Sequence, residues 1–246
     1  MRSVLPAGEH PRPSLTDARR SHRAPTIRRV PTPFPDQAAM LAALIRARAG
    51  EPARIAVVGN APLPASAERA ARIDGSDLVV RMTTFALDTA EPAVGRRTDV
   101  VLIHRGVQAG PGTFAAHRSR LYLLAEPGRD HWEPEPVPPW WPRDLELIPL
   151  GNREFTDPLR ALLGYRRNAV AWPTTGTLAV HLVHRLFPHA RILLTGTSLL
   201  DAPRGPRSAL GHHWGPAVTV TPEHRLEREA ALLAGWRDEG RIEVLP

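Results

Sequence analysis

The sequence predicts a single α/β domain built on a mostly parallel sheet. Three observations lead there. Short runs rich in Val, Ile and Leu are apolar throughout rather than alternating, the pattern of strands buried on both faces. Segments of helical character lie between them, the order that parallel pairing with helical crossovers produces. The 246 residues, 42% of them hydrophobic, suit one large core better than two small ones.

Along the chain, residues 1–36 are rich in Pro and Arg and carry no periodicity, so they are expected to form a disordered basic tail. The domain then runs over 37–246. "QAAMLAALIRARA" (37–49) is a helical run stopped by Gly50. "RIAVVGN" (54–60), "DLVVRM" (77–82), "DVVLIH" (99–104), "RLYLLAE" (120–126), "LELIPL" (145–150) and "RILLTG" (191–196) read as strands, and "RIEVLP" (241–246) suits a last edge strand. Helices are expected near 65–74, 108–118, 155–164, 175–187 and 222–237, covering both faces of the sheet. His181 and His184, three positions apart, read as a partly exposed helix edge. The Pro- and Trp-rich stretch 126–144 is too irregular for a core element. It reads as a packed surface loop, or as a wall over a substrate site. Ligands of parallel sheets bind beyond the carboxyl ends of the strands. The loops after Val58, Met82, Pro173 and Gly196 are therefore where chemistry is expected.

Composition narrows the function. All 32 basic residues are arginine, consistent with a compositional bias of the source. Seven arginines against Glu9, Asp17 and Asp36 put +4 of the net +7 into residues 1–36 and leave the body at +3. That is weak support for a nucleic-acid groove, though a mildly basic body favours an anionic substrate. Without cysteine there are no disulfides and no thiolate metal sites. No apolar run approaches the roughly 18 residues of a membrane span, and the N-terminus lacks an apolar signal core, so a soluble, cytoplasmic protein is expected.

Several short patterns carry possible chemistry. "VVGN" (57–60) places Gly59 at a strand end, where a backbone can approach a ligand closely, with Asn60 beside it. The following Ala-Pro-Leu breaks the dinucleotide fingerprint and argues against a nicotinamide cofactor. In "AWPTTGTLAVHLVHRLF" (171–187), Thr174 or Thr175 can cap a helix starting near Gly176, and such an N-terminus receives anions. "GHHWG" and "PEHRLERE" gather His212, His213 and His224 with Glu229 five residues on. Metal ligands, catalytic groups and surface residues all remain open for them, although the His224–Glu229 spacing is not that of helical ligands. There is no Gly-x-Ser-x-Gly elbow and no Asp-x-Asp clamp for a metal-bound nucleotide sugar.

Taken in order, four blocks resemble the sialyltransferases of glycosyltransferase family 29, over roughly residues 54 to 229. "IAVVGNAPLPASAERAARIDGSDLVVRMTTFAL" with "AVGRRTD" is similar to the long sialyl motif, and "WPTTGTLAVHLVHRLFPHARILLTGTSL" to the short one. "HHWG" is similar to the third, and "HRLERE" to the very short motif. The resemblance implies a Rossmann-like α/β/α domain of the GT-A-variant type. It also implies a metal-independent, inverting transfer from a CMP-activated donor, sialic acid or a related acid sugar, to a hydroxyl of a glycan or other acceptor. No further cofactor is implied. His224 matches the general base and His213 the histidine on the CMP phosphate, with His212 the lesser candidate. Asn60, Thr83, Thr174, Thr175, Gly176 and Gly196 match positions lining the nucleotide pocket, and Glu229 a support around His224.

Departures from the pattern accompany the matches. Thr83 stands where Asn is usual; its hydroxyl has a shorter reach toward ribose and one donor fewer. Ile55 and Phe187 stand at the two positions that a disulfide joins in the animal enzymes. Trp214 stands where Tyr is common. The competing expectation is a non-catalytic nucleotide- or polyanion-binding protein that keeps the fold and uses its basic tail.

Overall fold

The computed structural model describes residues 36–104, 106, 109–110, 112–126, 137–166, 169–201, 209–211, 213, 215, 217–221 and 223–246. The expected tail up to Pro35, the 127–136 part of the Pro- and Trp-rich stretch, His212 and Trp214 lie outside them.

Each apolar run forms a strand: β1 (Arg54–Val58), β2 (Leu78–Met82), β3 (Val100–His104), β4 (Leu121–Ala125), β5 (Ile148–Pro149) and β6 (Arg191–Thr195). Beyond them come a small antiparallel pair, β7 (Ala209–Leu210) with β8 (Val218–Thr219), and then β9 (Ile242–Val244). The seven main strands pair in parallel in the order β5-β4-β3-β2-β1-β6-β9. β5 is shorter than "LELIPL" suggests: its pairing with β4 is confined to Ile148 and Pro149, with Leu150 N–H donating to Leu124 O at 2.9 Å just beyond.

The helices are α1 (Gln37–Ala49), α2 (Ala67–Asp74), α3 (Thr156–Leu162), α4 (Thr175–Leu186), α5 (Ser198–Asp201) and α6 (Leu226–Asp238). Local chemistry sets their ends. Asp36 accepts from Ala39 N–H at 2.7 Å to start α1, and Gly50 at φ 78° stops it. Ser66 caps α2 by accepting from Arg69 N–H at 3.2 Å.

Strand alternation divides the core. Ile55, Val57, Leu78, Val80, Ile192 and Leu194 face one side, packed against α1, α3, α4 and α6. Ile55 and Phe187 are both buried in this cluster. On the other face, Ala56, Val58, Val79 and Leu193 pack with Ile73 of α2, while Val101, Ile103 and Leu124 meet Phe85, Tyr122 and Trp141.

The helix expected at 108–118 is not there. Residues 112–116 form turns and His117–Ser119 a single 3-10 turn. Glycines at 110 and 112 disfavour a helix, and distant groups take up the local backbone instead. Arg120 donates to the Gly112 and Thr113 carbonyls, the Tyr122 hydroxyl donates to the Thr113 carbonyl at 2.8 Å, and the Thr113 hydroxyl donates to Thr83 O. This face is thus covered by one helix, loops and an aromatic cluster. Trp141 is part of that cluster, 5.1 Å from the Tyr122 ring, so this part of the Pro- and Trp-rich stretch packs the core. No helix among the described residues is long and apolar enough to cross a membrane.

His181 also departs from expectation. It is 7% exposed and stacks on Trp236 of α6 at 6.3 Å, because α6 lies across the helix edge that the sequence left open. Neither ring nitrogen has a partner among the described residues. Burial, then the nearby Arg185 and His184, pushes its pKa down from the ordinary 6.5 to about 4. The folded state therefore refuses a proton that the unfolded chain accepts. The neutral ring carries no penalty above pH 6.5, and stability is lost as pH falls from 6.5 toward 4. Between pH 7 and pH 4 this component amounts to on the order of 3 kcal/mol. We expect His181→Leu to remove that part of the pH dependence, seen as a smaller acid-side drop in unfolding free energy than in the wild type by denaturant titration.

Candidate functional site

The strand order reverses between β1 and β6, and the carboxyl ends of these two strands open into a cavity of about 470 Å³. Two glycines make the opening. Gly59 N–H donates to Thr195 O and Ala61 N–H to Gly196 O, both at 2.8 Å, so the two chains leave the sheet in contact. A Cβ on Gly59 would lie 2.1 Å from Gly196 O, and one on Gly196, at φ 64°, would lie 2.6 Å from Gly59 O. No other residue fits at either position.

Above this pair stands the N-terminus of α4. Thr174 is its cap: the side chain accepts from Thr177 N–H at 3.3 Å. Thr174 is also held from outside. Its N–H and hydroxyl donate to Glu229 Oε2 at 2.9 and 2.6 Å, and the Thr177 hydroxyl donates to the same oxygen at 2.6 Å. The backbone N–H groups of Thr175 and Gly176 and the Thr175 hydroxyl have no partner among the described residues, and both residues line the cavity. A Cβ on Gly176 would meet only Met82 Cε, at 3.9 Å. Free donors, the positive end of the helix dipole and open space thus coincide.

Glu229 is fully buried on α6. Burial raises its carboxyl above the usual range, opposed by the bonds from Thr174 and Thr177. Its hydrogen bonds hold the α4 cap.

His224 lines the cavity just before α6. Its Nδ1 lies 2.9 Å from the Trp172 carbonyl oxygen. A carbonyl can only accept, so Nδ1 carries the hydrogen and the neutral ring presents a bare lone pair at Nε2. Nε2 has no partner among the described residues. Trp172 is fixed in turn, its N–H donating to Glu223 O at 3.1 Å.

The remaining residues take different places. Asn60 lines the cavity with its amide unpartnered among the described residues, while its carbonyl accepts from His213 N–H at 2.7 Å. His213 sits over the 60–63 loop and is not among the cavity-lining residues. Its Nδ1 accepts from Leu63 N–H at 3.4 Å, which puts the hydrogen of the neutral ring on Nε2. Thr83 lines the cavity, but its hydroxyl donates to Leu102 O at 3.2 Å and accepts from His104 N–H at 2.8 Å. It can offer a ligand an acceptor but no donor. His104, the last residue of β3, also lines the cavity, with Nδ1 accepting from Gly106 N–H and Nε2 3.8 Å from Glu126. Sequence reading passed over it, although its place at the carboxyl end of a predicted parallel strand was the signal. Among the described residues, no three His, Asp or Glu side chains gather as a metal site.

No family description matches the chain, and no curated protein matches its sequence. Among solved structures it is similar to a mammalian sialyltransferase, with a TM-score of 0.54 at 20% identity, over 78% of this chain and 68% of that one. It is similar also to a mammalian sialyltransferase in complex with Gal-beta-1-3GalNAc-ortho-nitrophenol, with a TM-score of 0.53, the same identity and the same coverage. The fold is therefore the sialyltransferase-like, Rossmann-type α/β domain that the sequence blocks implied.

Removing Glu229 would leave one N–H and two hydroxyls without their buried acceptor. We expect Glu229→Ala to cost about 2–4 kcal/mol of stability and to weaken anion binding at α4, and Glu229→Gln, which keeps an acceptor oxygen, to cost clearly less. Thermal unfolding of the two variants side by side checks this.

Proposed function

We propose that this chain is a glycosyltransferase of the sialyltransferase-like kind. It would transfer a sugar, sialic acid or a related acid sugar, from a CMP-activated donor to an acceptor hydroxyl, with inversion and without a metal. The observation that carries the reading is the pairing of two features in one cavity: the bare Nε2 of His224, fixed by the Trp172 carbonyl, and the free N–H groups of Thr175 and Gly176.

The step follows from that pairing. Nε2 of His224 takes the proton of the acceptor hydroxyl as its oxygen bonds to the anomeric carbon. The bond from that carbon to the phosphate oxygen breaks on the opposite side, and CMP leaves with the electron pair. Its charge is met by the Thr175 and Gly176 N–H groups, the Thr175 hydroxyl and the α4 dipole. His213 stands outside the cavity lining, its ring anchored on the 60–63 loop, so its Nε2–H serves only a donor substrate that reaches beyond Asn60. Asn60 offers its free amide to the nucleotide. Glu229 holds Thr174 so that the donors of α4 stay aimed at the cavity. A disaccharide such as Gal-beta-1-3GalNAc is the first acceptor to try.

Calorimetric titration of the full chain with CMP, UMP and GMP, with and without EDTA, tests the reading. We expect selective CMP binding that survives EDTA; no CMP binding overturns it. Gly176→Ala should leave the melting temperature unchanged or higher, since a methyl fits the helix there, yet weaken CMP by about tenfold or more. His224→Ala should abolish transfer while leaving CMP affinity within a few-fold. Equal loss of both would make His224 structural, and CMP binding without turnover of any CMP-sugar would favour a non-catalytic nucleotide-binding protein.

A further inference from the structure

The tautomer of His224 depends on one carbonyl, and that carbonyl belongs to an irregular segment. Between α3 and α4, the described residues 163–166 and 169–174 form no helix or strand, and Trp172 directly precedes Pro173. Such a segment does not hold a carbonyl in place by itself. A residue preceding proline is confined to extended backbone, but that fixes its shape and not its position.

The Trp172 N–H bond to Glu223 O at 3.1 Å anchors one point of the segment, and Arg160 of α3 supplies the rest of the hold. Its Nε donates to Ala171 O at 3.1 Å and its Nη2 to Ala169 O at 2.9 Å. Its guanidinium lies 4.7 Å from the centroid of the Trp172 ring. One planar fork therefore grips two carbonyls and the indole within four consecutive residues. The side chain is 11% exposed and carries an ion pair to Asp157 at 3.5 Å, which holds the head group from the helix side.

We infer that Arg160 is a positioning residue: it clamps the 169–172 segment so that the Trp172 carbonyl keeps His224 in the Nδ1–H form. Its place in catalysis rests on the reading of His224 as the general base; the clamp itself does not. A lysine keeps the charge but cannot bond two carbonyls in one plane while stacking on the indole.

The test is nitrogen NMR of His224 in the full chain at about pH 8, where an unperturbed imidazole is neutral. The wild type, Arg160→Met and Arg160→Lys are compared. The wild type should show a protonated Nδ1 and a bare Nε2. In both variants the ring should lose that single form and populate the Nε2–H tautomer, with CMP affinity unchanged. Transfer should fall about 10- to 100-fold in kcat with little change in donor KM. An unchanged His224 tautomer in variants that fold overturns the inference. Loss of the fold in both variants overturns it too, by assigning Arg160 to general stability. The tautomer readout needs no substrate. A chain that transfers no sugar but shows the shift keeps the clamp and loses only the transferase reading.

Discussion

Glu229 Oε2 collects the N–H and hydroxyl of Thr174 and the hydroxyl of Thr177, in a place with no access to water. That one atom ties the start of α6 to the start of α4. His224 arrives five residues before it on the same chain, and Thr175 and Gly176 directly follow the cap it holds. The distance between His224 and the open N–H groups of Thr175 and Gly176 is thereby set by a buried carboxylate rather than by two loops. Such a group is costly to bury, and burial does raise its pKa. It is retained because three donors meet it at once.

The second organising fact is how the arginines are used. A chain with 27 prolines has many carbonyls outside helices and strands, and these need partners when buried. Arginine provides them. Arg81, 1% exposed in β2 with its pKa drawn down to about 10 by burial, donates to the Val94 and Arg97 carbonyls. Arg97 donates to those of Ser76 and Asp77, Arg69 to those of Pro64 and Ala93, and Arg228 to those of Leu163 and Gly164. Part of the charge that raises the net value to +7 therefore points inward, at the chain's own backbone. In the long block, "VVRM" and "GRRTD" are joined in this way: Arg81 fastens β2 to residues 94–98, and Asp74 holds the Arg96 and Arg97 N–H groups.

Much of this was legible in sequence, for identifiable reasons. Strands such as "RIAVV" and "RILLT" are apolar throughout because both faces are covered, and they appeared at their expected places. Gly59 and Gly196 were visible as glycines at strand ends, and Thr174 as one of two candidate caps. The 108–118 segment misled because its composition permits a helix while Arg120 and Tyr122, outside it, claim its carbonyls. His181 misled because nothing near it in sequence announces Trp236, which covers it.

The sequence alone determined the fold class, the order of the strands along the chain, the Gly50 stop of α1, the two candidate caps of α4, and the glycines at the ends of β1 and β6. These follow from periodicity and from the few residues to either side. Only the tertiary structure decided which groups are free to act. Thr174 is engaged by Glu229 across 55 positions, which leaves Thr175 and Gly176 as the open donors. The Thr83 hydroxyl is taken by Leu102, 19 positions away. His224 owes its bare nitrogen to Trp172, 52 positions back. A hydrogen-bonding group is defined by what has already claimed it, and here the claimants are distant in the chain.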